Sequence, residues 1–250
     1  MTILTYHSLD TSGSVVSVAP SDFAAQMAGM ADLGYRGISL RQAVAHRDSA
    51  GTWPARSVVL SFDDGYANFH ECALPVLRQY GFTATVFVVT GHLGGTNDFA
   101  PPPHPLGSLP MLSWEQTAEL AAYDIEIGAH TQTHPDLSRL SAADVVREIS
   151  ASASDIEAHI GQPVESFAYP FGIVSGLSLT AASRQFRVAC TTTLKRATTE
   201  ALHLLPRVDA YYLPRAAGGL ARVLGGRLDW YLALRRGGRS LSAALHRGLR

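Results

Sequence analysis

Val58-Val59-Leu60-Ser61-Phe62-Asp63-Asp64-Gly65 is the stretch whose reading decides the fold. It is a short apolar run that stops on two acids and a glycine. Nearly continuous hydrophobicity over so few residues reads as a strand buried on both faces, the kind found in parallel sheets. In barrels of such strands, chemistry gathers at the C-terminal ends. Two carboxylates side by side at such an end repel, unless a cation or a shared proton compensates. The plain alternative is an Asp-Asp-Gly turn whose Asp caps the next helix.

Working outward, similar runs occur at Thr2–Tyr6, Thr83–Val89, Ile125–Ala129, Val164–Tyr169, Arg187–Thr192 and His203–Val208. Amphipathic segments lie between them. Ser21 and Gly34 bracket Asp22–Leu33, and Gly81 follows Tyr66–Tyr80. Ser113 precedes Trp114–Ala122 with Gln116 at the capping-box offset, and Ser141 and Gly161 bracket Ala142–Ile160. The alternation predicts an α/β fold with a parallel sheet, closed into a barrel or open. Gly91–Pro110, with Pro101-Pro102-Pro103 and Pro105, is a connection of the length that is usually functional or disordered. Residues 1–214 are expected to form the body and 215–250 a basic, amphipathic helical tail.

The chain has 250 residues, 46% hydrophobic and 16% charged, enough for a sizeable core. That composition excludes disordered, collagen-like and coiled-coil classes. The net charge of -1 gives no support to a nucleic-acid partner, and none is expected. It hides an asymmetry, since eight arginines lie beyond position 214 against the single Asp229. The tail therefore carries +7 and the body -8. Arginines beside Leu220, Leu224, Leu228, Tyr231 and Leu232 suit peripheral docking on an anionic membrane, with a helical cap on the barrel as the alternative. Cys72 and Cys190 read as small buried hydrophobes rather than a disulfide framework. Met1-Thr2-Ile3-Leu4 carries no basic leader region, and no run reaches membrane-spanning length. A cytoplasmic location is expected, peripheral to the inner face of the membrane if the tail docks there. The oligomeric state is not legible.

Three further motifs stand at strand ends. His130-Thr131-Gln132-Thr133-His134 follows Ile125–Ala129, and two imidazoles at that spacing can converge on one metal. With one aspartate they make a three-ligand set that leaves room for water and substrate, as a catalytic zinc requires. The other aspartate is then placed to act as general base. Phe167-Ala168-Tyr169-Pro170-Phe171-Gly172 allows a sharp turn with exposed N–H groups, a potential oxyanion donor. An aromatic turn packed into a core is the ordinary alternative. Thr5-Tyr6-His7-Ser8 ends the first strand, where His7 can protonate a leaving nitrogen.

In this order and spacing, Ser61-Phe62-Asp63-Asp64-Gly65-Tyr66, His130-Thr131-Gln132-Thr133-His134 and Tyr169-Pro170-Phe171-Gly172 resemble the polysaccharide deacetylases. These are also called NodB-homology domains or carbohydrate esterase family four. The resemblance runs from about Thr2 to Asp209. It implies a distorted, incomplete (β/α) barrel and metal-dependent removal of acetyl groups from N-acetylated sugars. It implies Asp63 as general base, Asp64, His130 and His134 as ligands of a divalent metal, zinc before others, and the Phe171 N–H as oxyanion donor. The family usually braces its base with an Arg two residues before the motif's Pro. Here that position is Ala168, and Arg207 is the candidate replacement. The family's late acid motif has no clear match, although His203 lies near it. Tyr6-His7 is similar to the N-terminal form found in some members, so His7 is preferred as the acid.

Tyr66, Tyr169 and Trp114, with Phe99 and Phe171, are candidates to stack on sugar rings. The expected partner is an N-acetylated glycan, either a polymer or a lipid- or nucleotide-linked precursor. Two other functions stay open: hydrolysis of another non-peptide C–N bond, and a catalytically inactive carbohydrate-binding module.

Overall fold

Seven parallel strands close into a ring because the first strand pairs on both of its sides. The computed structural model describes residues 1–99, 106–198 and 200–213, together with Leu220, Leu224 and Leu232. In chain order the elements are β1 (Thr2–Tyr6), β2 (Ser8–Leu9), β3 (Ser17–Val18), α1 (Pro20–Asp32), β4 (Arg36–Ile38), α2 (Leu40–Ala50), β5 (Ser57–Phe62) and α3 (Leu74–Tyr80). There follow β6 (Thr85–Val88), α4 (Trp114–Ala122), β7 (Glu126–Ala129), α5 (Ala142–Ile160), β8 (Ser166–Ala168), α6 (Gly176–Gln185), β9 (Val188–Leu194) and β10 (Leu205–Asp209). The ring runs β1-β10-β9-β8-β7-β6-β5 and closes through β5 onto β1. It is a distorted (β/α) barrel one strand short of eight.

The distortion sits at β5. Its first half pairs with β4 (Gly37↔Val58) and its second half with β6 (Phe62↔Val86) on the same edge. β4 therefore splints the ring instead of joining it. Residues of alternate parity form two cores. Ile3, Val59, Phe87, Ala168, Val188, Cys190 and Leu205 make the smaller, inside the barrel. Leu4, Val58, Leu60, Val86 and Phe167 face the helices in the larger. Packing inside is tight: a Cβ on Gly128 would fall 2.6 Å from the Phe87 ring. Leu40, Ala43 and Val44 of α2 complete the inner cluster. The first N–H groups of α2 are satisfied by the Thr85 hydroxyl (2.8 Å) and the Glu126 carboxylate (2.8 Å). α2 thus closes the barrel's N-terminal end and leaves chemistry to the other.

Several elements differ from the sequence reading. β4, α2 and α6 were not expected. The expected Tyr66–Tyr80 helix opens on a π-helical turn at Phe69–Ala73, and the α-helix begins only at Leu74, with a proline in its first turn. His203 lies in a short turn, and the strand there is β10. Cys72 and Cys190 are free. No helix among the described residues is long and apolar enough to cross a membrane. The expected helical form of the tail, and Pro101-Pro102-Pro103, lie outside the described residues. Leu220 and Leu232 are nevertheless buried in the larger core, and Tyr35 donates a hydrogen bond to the Leu224 carbonyl (3.4 Å). At these points the tail's apolar face meets protein.

Candidate active site

Register places the site. Tyr6 stands opposite Phe62, and Thr5 opposite Asp209. The Asp63 N–H continues the ladder onto the Tyr6 carbonyl (2.9 Å). His7 and Asp63 therefore leave adjacent strands at the same height, and His7 Nε2 lies 3.9 Å from Asp63 Oδ2. β10 flanks β1 on its other side and brings Arg207 and Asp209.

Arg207 is fully buried and grips Asp63 with both terminal nitrogens, at 2.6 and 2.7 Å. Its Nε donates to the Thr191 carbonyl (3.0 Å) and Nη1 also reaches Ser61 Oγ (3.2 Å). Burial alone would raise the Asp63 pKa, but the Arg207 charge and hydrogen bonds, with the nearby His130 and His7, together outweigh it and hold the carboxyl below its ordinary value. Asp63 is thereby ionised and fixed in orientation.

Asp64, His130 and His134 converge beside it. Asp64 Oδ1 lies 3.5 Å from His130 Nε2 and 3.6 Å from His134 Nε2. One ligand atom from each falls within 4.8 Å of the others. This donor set, one carboxylate and two imidazoles, fits a divalent metal with open positions. His130 Nδ1 lies 2.7 Å from the Ala168 carbonyl, which fixes the ring and turns Nε2 toward the centre. Burial first, then His130, pushes His134 down to about 4, so it is a neutral ligand. Burial opposes charge on His130 too, yet the Asp64 hydrogen bond and the Asp63 charge raise its pKa.

Backbone strain concentrates here. Among the described residues, six that are not glycine adopt positive φ, and four are at the site: Asp64 (73°), Thr131 (67°), His134 (56°) and Phe171 (57°). Such conformations persist only where surrounding contacts over-determine them, and they cluster at functional sites. Gly172 follows at 68°, and a Cβ there would lie 2.1 Å from Thr192 Oγ1.

These groups share one cavity of about 240 Å³, lined also by Val16, Tyr66, Phe99, Tyr169 and Thr192. Phe171 is 56% exposed at its rim. The Phe99 and Phe171 rings flank His134 at 4.8 and 4.7 Å. Burial, then the Asp64 charge, pushes the Tyr66 phenol up. Tyr169 is buried, and its hydroxyl has no hydrogen-bond partner among the described residues.

The structure thus brings together His7, Asp63, Asp64, Tyr66, Phe99, His130, His134, Tyr169 and Phe171, with Arg207 behind Asp63. It does not bring Trp114, whose ring stacks on His159 at 3.8 Å away from the cavity lining. His203 is also elsewhere, 2.8 Å from the Phe186 carbonyl. Sequence reasoning missed Asp209. Burial pushes its carboxyl up while His7 opposes that rise. A lone acid ending a late strand gave no signal by itself.

Known proteins resemble this chain in sequence and fold. The Bacillus subtilis protein YxkH, whose name also places it with polysaccharide deacetylases, is 29% identical over 182 residues, 73% of this chain and 60% of the relative. The Staphylococcus aureus poly-β-1,6-N-acetyl-D-glucosamine N-deacetylase is 24% identical over 208 residues, 80% of this chain and 67% of the relative. This chain therefore spans only 60% of the first relative's length and 67% of the second's. Among solved structures, the Streptococcus pyogenes deacetylase PplD in complex with acetate superposes with a TM-score of 0.73 at 27% identity, covering 84% of this chain and 91% of that one. IcaB from Ammonifex degensii shares the fold, with a TM-score of 0.74 at 22% identity, covering 88% of this chain and 96% of that one. The family model described as polysaccharide deacetylase matches residues 50–186, more than half of the sequence, and the chain belongs to that family.

Proposed function

We propose that this protein is a zinc-dependent deacetylase that hydrolyses the acetamide of an N-acetylglucosamine polymer. The observation that carries the reading is Asp63, gripped from behind by Arg207, lining one cavity with Asp64, His130 and His134. A base that is ionised and immobilised next to such a ligand set is the equipment of metal-assisted hydrolysis.

Asp64, His130 and His134 would hold the metal, which when bound supplies Lewis-acid polarisation of the amide carbonyl and acidifies a water. Asp63 takes a proton from the attacking water, and Arg207 keeps its carboxylate ionised and aimed. His7, partly exposed and 3.9 Å from Asp63, delivers a proton to the leaving nitrogen. The Phe171 N–H, in a turn held in the left-handed region, serves as the oxyanion donor as charge develops. Phe99, Phe171 and Tyr66 wall the space for a sugar ring. The name of the Staphylococcus aureus relative makes a β-1,6-linked N-acetylglucosamine chain the first substrate to try.

The test is acetate release from β-1,6-linked N-acetylglucosamine oligomers by the zinc-loaded full chain. Release that disappears in Asp63→Asn, with zinc retained, supports the reading. A zinc-loaded protein that releases no acetate from any N-acetylglucosamine oligomer overturns it.

A further inference from the structure

The buried stripe of α5 consists of Val145, Ile149, Ser152, Ala153 and Ile156, and Glu148 sits among them. A carboxylate on the apolar face of a helix is an anomaly that partners must explain. Its partners are the loop between the two histidines. Glu148 Oε2 accepts the N–H groups of Gln132 (3.0 Å) and Thr133 (2.9 Å). Oε1 accepts the Thr133 hydroxyl (2.8 Å). Two turns further along α5, Asp155 accepts the Thr90 hydroxyl (2.7 Å) and the Gln132 side-chain amide (3.3 Å).

The rest of the loop is tied as fully. The His134 N–H donates to Thr131 Oγ1 (3.0 Å). The Thr131 and Gln132 carbonyls accept the Thr90 and Gly91 N–H groups at 3.3 and 2.8 Å. The approach of Gly91 is so close that a Cβ would lie 2.7 Å from the Gln132 carbonyl oxygen. This loop turns twice through positive φ, at Thr131 and His134, which an unsupported chain avoids. The second turn is at His134 itself, so the conformation that aims His134 is the strained one.

We propose that Glu148 is a positioning residue for the metal ligands: its carboxylate clamps Gln132 and Thr133 and so holds His134 against Asp64 and His130 before any metal arrives. This rests on the reading of Asp64, His130 and His134 as metal ligands. Without the clamp the two N–H groups turn to water and the loop relaxes, so the site must be reassembled each time it binds. Loss of such outer partners typically weakens metal binding by about 10- to 100-fold.

The test measures the zinc Kd of the full chain by competition with a chromophoric chelator, beside the melting temperature of the metal-free protein. Glu148→Ala is expected to weaken zinc by about 10- to 100-fold, with Glu148→Gln, which keeps one acceptor, in between. The visible band of the cobalt-substituted protein should change in intensity in both. Val146→Ala, exposed on the same helix, should bind as the wild type does. If Glu148→Ala does not fold, Glu148→Gln decides: a Kd weakened by about threefold or more supports the clamp, and a wild-type Kd overturns it. Variants that melt lower yet bind zinc like the wild type show a role in folding only and overturn it. A wild-type protein that takes up no zinc instead removes the metal reading on which the clamp depends.

Discussion

Arg207 closes on both oxygens of Asp63 from 144 positions further along the chain, with neither side chain open to solvent. Removing one member of a buried pair leaves the other uncompensated, which costs about 3–5 kcal/mol. Arg207→Met should therefore lower stability by that order in urea unfolding and depress kcat. Arg207→Lys cannot bridge two oxygens and should recover little of either. Unchanged acetate release in both variants would remove Arg207 from the reaction.

The same pair sets a pH response. Asp63 is held below its ordinary value of 3.8 because Arg207, together with His130 and His7, outweighs burial. A carboxylate with a lowered folded-state pKa contributes stability that is complete above its unfolded value and is lost as pH falls through the folded one. The wild type should hold this contribution down to about pH 4 and lose it below. The double variant Asp63→Asn/Arg207→Met should show a flatter loss of stability between pH 4 and 2 in urea unfolding, about where the pair would otherwise titrate. Parallel profiles would show that the pair does not govern acid unfolding.

His7 and His203 separate cleanly. His7 lines the cavity 3.9 Å from Asp63, while His203 is bonded to the Phe186 carbonyl. His7→Ala should lower kcat by about 10²- to 10⁴-fold with zinc content unchanged. His203→Ala should leave kcat within a small factor. The reverse outcome would move the acid to His203.

The aromatic residues divide in the same way. Phe99→Ala and Phe171→Ala should raise KM, since both rings line the cavity. Trp114→Ala should leave KM unchanged and cost only the stacking on His159, about 0.5–1.5 kcal/mol beyond its lost area. A raised KM in Trp114→Ala would mean that the substrate reaches α4.

Gly172→Ala tests the Tyr-Pro-Phe-Gly turn. Its φ of 68° and the approach of Thr192 Oγ1 to 2.1 Å and of Thr192 N to 2.6 Å both exclude a side chain. The left-handed conformation alone costs a non-glycine residue about 1–2 kcal/mol, and the overlap adds to it. Thermal melting should fall, and Thr192→Ala should not restore it, because the backbone nitrogen of residue 192 still intrudes.

Much of this site was legible along the chain because it lies in three short motifs at strand ends. The barrel's alternation showed for the same reason: doubly buried strands such as β5 are apolar throughout. Arg207 was found only through a gap, the alanine at 168 where a cation was needed. β4 and α2 escaped notice because Arg36–Ile38 is too short for a pattern and Leu40–Ala50 buries few residues on a polar helix. α6 opens on Gly176 and carries a similarly weak stripe. Trp114 looked like a sugar platform only because sequence does not show which way a helix faces. Glu148 and Asp155 touch the histidine loop solely through the docking of α5, although an acid on a buried stripe was a readable warning.

The four left-handed residues Asp64, Thr131, His134 and Phe171 have a consequence for protein engineering. Each stores conformational energy that the fold must offset elsewhere, so each is a place where a glycine or asparagine relaxes the backbone. A selection for heat resistance alone would be drawn to these positions, and its winners there would be sturdier and slower. A selection that also demands turnover should leave these four positions alone and accumulate its gains on the outer helices.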